Sequence, residues 1–172
     1  MQTSLVEAVV VKVDLRALVR APKRILNDGE WKAGVMPRTA FPLSRSGNKA
    51  YRLGNRRWRV VLFEALGLRC RMLIQYHPGL GQYQASWGVE HEGDIKVVAQ
   101  LEYHPTHGGW HVHACCSDIA DVPAGIRRGP WNKLLHGRGT RHRMAAPTSD
   151  DSAFQRAMLV FGVDRRGQGG LL

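Results

Sequence analysis

The sequence predicts an α+β domain: an antiparallel sheet of four or five strands with helices packed mainly on one face. Two observations carry this expectation. Four consecutive strand-like segments, Leu68–Tyr76, Tyr83–Glu90, Ile95–Tyr103 and Trp110–Cys116, are joined by PGLGQ, HEGD and PTHGG, short links rich in turn formers, which is the pattern of an antiparallel meander. Near the end, Ser149–Asp151 precedes Phe154, Ala157, Met158 and Phe161, an i, i+3, i+4, i+7 series that defines an amphipathic helix stopped by Gly162. With 172 residues, 44% of them hydrophobic, the chain has enough apolar material for one core.

Taken in order, Leu5–Leu18 begins apolar and β-branched (VVVKV) and turns helical in DLRALVR, so it reads as a strand or a strand running into a helix. Ala21–Asn55 is rich in Pro, Gly, Arg and Ser without a sustained period and reads as loops or an extended arm. Trp58–Leu66 is a short helix or strand closed by Gly67. After the meander, Trp131–Leu135 reads as a short helix entered through Pro130 and stopped at Gly137. This divides the chain into a basic, loop-rich arm (1–55), an α+β core with a histidine-rich hairpin (56–163) and a flexible tail (164–172).

The formal charge of +11 is unevenly spread. Residues 1–72 carry fifteen Lys and Arg against five Asp and Glu, residues 73–126 one against six, and residues 127–172 nine against three. Basic flanks around an acidic, histidine-bearing centre suit a polyanion outside and a divalent cation inside. The densest basic cluster sets Arg52, Arg56, Arg57 and Arg59 around Trp58, like a stacking platform with phosphate clamps; Arg127, Arg128 and Lys133 form a second group. The expected partner is nucleic acid, single-stranded DNA first. The plainer alternative is a half-buried tryptophan on a solubilising basic surface. No apolar run approaches membrane-spanning length, the N-terminus lacks the features of a secretory signal, and three cysteines form no disulfide framework, so a reducing cytoplasm is expected. No Walker-type glycine loop, GxSxG or CxxC is present.

The chemistry concentrates in Leu101–Cys116, LEYHPTHGGWHVHACC. Strand side chains alternate faces, so His111 and His113 point one way and Trp110, Val112 and Ala114 the other. Glu102 falls on the histidine side of the preceding strand, and His104 or His107 could return over the same face. Cys115 shares that face by alternation, although burial as a small apolar thiol is its expected role. Two imidazoles with a third ligand from Glu102, His104 or His107 would hold a divalent metal (Mn, Mg or Zn); a solvated polar turn and a closed structural zinc site remain open alternatives.

The stretch VVAQLEYHPTHGGWHVHACC resembles the HUH motif of replication-initiator proteins, relaxases and related single-strand transposases, the HUH endonuclease superfamily, in which two histidines flank an apolar residue on a sheet strand. The resemblance implies a ferredoxin-like or RRM-like palm, a metal bound by His111 and His113 with a third ligand, and nicking of single-stranded DNA by a tyrosine, as in mobile-element replication. No tyrosine follows Tyr103, which departs from the initiator pattern; an upstream placement leaves Tyr51, Tyr76 and Tyr83, and Tyr51, beside the basic cluster in KAYRLGNRRWR, is the candidate nucleophile. Water activated by the metal is the alternative nucleophile, and a non-catalytic, nucleic-acid-binding or regulatory protein with a structural or vestigial metal site is the alternative function.

Overall fold

The computed structural model describes residues 13–106, 109–127, 129 and 145–163. Short helix α1 (Leu15–Arg20) is started by Asp14, whose carboxylate accepts from Ala17 N at 2.7 Å. Seven strands follow: β1 (Lys23–Asn27), β2 (Lys32–Pro37), β3 (Ala50–Ala65), β4 (Leu68–His77), β5 (Gln82–His91), β6 (Asp94–His104) and β7 (Gly109–Ala114). Helix α2 (Asp150–Phe161) completes the α+β arrangement.

All pairings are antiparallel, in the order β1-β3-β4-β5-β6-β7, with β2 on the other half of β3. The sheet thus has seven strands rather than the four or five expected. The additional strands come from the segment read as a loop-rich arm. Strand β3 is 16 residues long, runs through the expected division at 55/56, and pairs with β1 at one end and β2 at the other. Strands β3 to β7 pair in chain order with no helix between them, a meander rather than the split βαβ pattern of a ferredoxin-like palm. Two tight hairpins explain the regularity: Leu66-Gly67 and Glu92-Gly93 have φ of 51°, 75°, 49° and 77°, the left-handed pair that two-residue hairpins require.

The larger core lies on the face that receives both helices. Leu18 and Val19 of α1 and Ala153, Ala157, Val160 and Phe161 of α2 join Phe63, Met72, Ile74, Ala85, Trp87, Leu101 and Val112. Trp87 sits edge-on to both Phe63 and Phe161, at centroid distances of 5.4 and 5.7 Å. Ser149 and Ser152 form a reciprocal capping box at the start of α2, and Gly162, at φ 62°, closes it as expected. A smaller cluster, built from Met36, Phe41, Leu43, Tyr51, Trp58, Leu73, Ile95 and Val97, occupies part of the opposite face.

A register shift beside Gly88 places Val98 opposite no partner residue, so β6 changes phase there. Ala99, Leu101 and Tyr103 face the larger core, but Val97 joins the smaller cluster and Val98 the larger, the reverse of simple alternation. Gly88 accommodates this: a Cβ there would lie 2.1 Å from Ile95 Cγ2. Among the described residues no helix is long and apolar enough to cross a membrane.

Candidate metal centre

Past the phase change, strand register assembles a polar row across four strands: Gln75 on β4 faces Gln84 on β5, Gln84 faces Glu102 on β6, and Glu102 faces His111 on β7. The next row runs Leu73, Ser86, Gln100, His113. Period-two alternation aims these side chains away from the helix-covered core, since Val112 between the two histidines is fully buried in it. The sheet therefore carries a buried polar patch on one face, and Glu102, 1% exposed, is its centre.

Three imidazoles converge on one oxygen. His104 Nε2 lies 3.1 Å, His111 Nε2 3.2 Å and His113 Nε2 3.8 Å from Glu102 Oε2. The ligand atoms of Glu102, His111 and His113 all lie within 4.8 Å of one another and could hold a metal ion. The His104 ring stacks on His111 at 5.3 Å, and His111 meets His113 edge-on at 5.2 Å. Side-chain exposure rises from 11% at His113 through 18% at His111 to 35% at His104, so the group opens toward solvent on the His104 side.

The hydrogen-bond pattern gives this cluster its chemical character. His111 Nδ1 is 3.3 Å from the Gly109 carbonyl. A carbonyl can only accept, so in this contact Nδ1 is the donor, and Nε2 is the nitrogen turned toward Glu102. An imidazole nitrogen and a buried carboxylate oxygen 3.2 Å apart are held together by a cation between them, a proton or a metal ion. On its other side the carboxylate is fixed by Gln84 Nε2, which donates to Oε1 at 2.7 Å. A hydrogen bond to the oxygen away from the imidazoles is the usual kind of outer support for a metal-binding carboxylate. Gln84 was not singled out in the sequence; its only signal there is a place two residues from Ser86 on the same strand face.

The other expected site residues divide. His104 joins the cluster; His107, Arg128 and Lys133 lie outside the described residues. Arg52, Arg56 and Arg127 line one hollow together with Glu102 and His104. Arg57 and Arg59 point elsewhere. Arg57 Nε donates to Asp150 Oδ1 at 2.7 Å, and Arg59 donates to the Asp28 carbonyl and stacks 4.0 Å over Phe154. The basic cluster is thus divided: Arg52 and Arg56 line the hollow, while Arg57 and Arg59 engage Asp150 and Asp28. Trp58 is 4% exposed within the smaller apolar cluster, so it is a core side chain rather than an open stacking surface.

Cys115 belongs to the larger core, not the histidine face, because β7 ends at Ala114 and alternation ends with it. Tyr51 is also buried in the smaller cluster, and its hydroxyl donates to the Phe41 carbonyl at 3.3 Å. Tyr76 and Tyr83 direct their hydroxyls to Asp150 and to the Ala153 carbonyl at α2, and Tyr103 packs on Trp110. The fold brings no tyrosine hydroxyl to the histidine group among the described residues. No protein-family model, curated protein or solved structure matches the chain.

Proposed function

We propose that this protein is a metal-dependent nucleic-acid-processing enzyme that cleaves phosphodiester bonds of single-stranded DNA, with Glu102, His111 and His113 as the metal ligands. The observation that carries the reading is the two-histidine, one-carboxylate set, backed by Gln84 and opening toward solvent beside His104. Such a set leaves positions for substrate and water, unlike a closed structural site. Of Mn, Mg and Zn, the two imidazoles favour Mn or Zn, since Mg prefers an all-oxygen shell. When bound, the cation supplies Lewis-acid polarisation of the phosphodiester and a lowered water pKa.

The HUH resemblance supports the metal and the strand as substrate, but the tyrosines are turned away, which favours water over Tyr51 as nucleophile. In that reaction the water oxygen forms the new P–O bond and the bond to the leaving sugar oxygen breaks. One proton of the water ends on that sugar oxygen and the other on the phosphate monoester or solvent. His111, oriented by Gly109, and Glu102, oriented by Gln84, hold their donor atoms toward one point, and His104 stands at the open side. The same tyrosine arrangement also suits the second reading, a nucleic-acid-binding protein with a non-catalytic metal site.

The deciding experiment incubates single-stranded oligonucleotides with the full chain and Mn²⁺ or Zn²⁺. Cleavage by wild type and by Tyr51→Phe alike, without a denaturation-resistant protein–DNA adduct, is expected. An adduct that Tyr51→Phe removes would establish the tyrosine as nucleophile. Binding without cleavage by either protein would leave the binding reading.

A further inference from the structure

Resting on the nucleic-acid reading above, we propose that the hollow next to the histidine group is a built seat for one phosphate group, formed independently of the metal. The hollow has a volume of about 270 Å³, and Arg52, Arg56, Gln75, Glu102, His104 and Arg127 are among the residues that line it. It therefore shares Glu102 and His104 with the histidine group, while its arginines and Gln75 lie outside that group.

Two independent features point to an anion. The first is an asymmetry among the arginines of the two long strands. Arg57 pairs with Asp150, Arg59 with Asp28, and Arg69 and Arg71 with Glu90. Among the described residues Arg52 and Arg56 have no carboxylate partner, and both line this hollow; the Arg56 contact, from Nη2 to Gln82 Oε1 at 2.7 Å, is to a neutral amide. Guanidinium groups left without acids while their neighbours are matched, and gathered in one concavity, define a place for negative charge.

The second is Gln75. It is 1% exposed and lines the hollow, yet its Nε2 has no hydrogen-bond partner. Buried donors in native proteins are satisfied, and one left open beside two arginines is satisfied by an acceptor that enters the hollow. Two guanidinium forks and an amide N–H are donors only, which suits the acceptor oxygens of a phosphate. The Glu102 carboxylate in the lining is engaged by Gln84 at Oε1 and by the imidazoles at Oε2, and the arginines Arg52, Arg56 and Arg127 outnumber it. A phosphate seated here would hold the strand with its neighbouring linkage toward the cluster.

The test uses metal-free full-length protein in EDTA, titrated calorimetrically with inorganic phosphate, a 5′-phosphorylated thymidine mononucleotide and a thymidine dinucleotide with one internal phosphodiester. Binding of phosphate-bearing probes is expected, with at least a tenfold loss in Arg56→Ala and in Gln75→Leu, and no binding of a dinucleotide carrying an uncharged methylphosphonate link. Preference for the mononucleotide assigns a strand terminus, and preference for the dinucleotide an internal linkage. Thermal melting of Gln75→Leu supplies the structural control: a variant that is folded and no less stable, but has lost phosphate, supports the seat. Failure of every phosphate probe to bind wild type, or unchanged binding in both variants, would overturn it. Cleavage persisting without metal-free phosphate binding would overturn the seat alone. Phosphate binding lost in the variants, with no cleavage by wild type, would retain the seat and remove the nuclease.

Discussion

Glu102 Oε2 faces three imidazole nitrogens while Oε1 is held from behind by Gln84, and this division fixes which oxygen is left for a cation. Gln84→Ala removes that support without touching a ligand. Mn²⁺ or Zn²⁺ affinity should then fall by about tenfold to a hundredfold, the usual effect of losing an outer-shell partner. Isothermal titration checks it, and an unchanged affinity would show that Glu102 is not a ligand or needs no orientation. At this scale the sequence was informative where chemistry marks the residue type. Glu102, His111 and His113 stand out by spacing and donor character. Gln84 and Gln75 do not, since glutamine is an ordinary strand-surface residue and only the cross-strand register shows what it faces. The distinction between Arg56 and Arg57 likewise depends on which face each occupies. Tyr51 and Arg52 are adjacent in sequence, yet Arg52 lines the hollow while Tyr51 enters the apolar cluster.

Among elements, α2 is tied to the sheet by charge as well as apolar contact. Asp150, in its first turn, accepts from Arg57 Nε at 2.7 Å and from the Tyr76 hydroxyl at 2.6 Å. The Arg57 hydrogen bond, helped by Tyr76 and outweighing burial, holds the Asp150 carboxyl below the ordinary carboxylate range. The Tyr76 phenol is pushed up to about 12 by burial and by the same carboxylate. A carboxyl with a depressed folded-state pKa stabilises the fold above its unfolded pKa, and that contribution disappears as pH falls through the folded value. Asp150→Asn should cost about 1 kcal/mol at neutral pH, since the pair is about one-third exposed, and the deficit should vanish toward acid pH. Denaturant melts at pH 7 and at pH 3 measure both; a deficit constant across that range would contradict the linkage. Helix α2 was legible because its cap and apolar period agree. Strands β1 and β2 were not, because they bury little: Met36 is the one fully buried side chain in the two, and an edge strand without an apolar alternation looks like a loop.

Across the whole molecule, the sheet separates two jobs. One face buries the larger core beneath α1 and α2, and the other combines the smaller apolar cluster with the polar rows that end at His111 and His113. The α+β class and the meander from β4 to β7 were legible because buried strands and turn-rich links alternate there. The length of β3 was not, since its first half carries arginines, Gly54 and Asn55 rather than an apolar period, and its pairing with β2 is decided by contacts far apart in the chain. The phase change at Val98 was equally invisible, because it depends on the close approach of Ile95 to Gly88. Through that phase change Ile95 and Val97 complete the smaller apolar cluster while Gln100 and Glu102, further along the same strand, carry the polar rows. The central claim is that these rows form a metal centre, and metal stoichiometry tests it most directly. Purified wild-type protein, freed of metal and titrated with Mn²⁺ or Zn²⁺, should take up one tightly held ion per chain, and His111→Ala/His113→Ala should take up none while retaining the wild-type circular-dichroism spectrum. A folded double variant that binds the ion as wild type does would contradict the account.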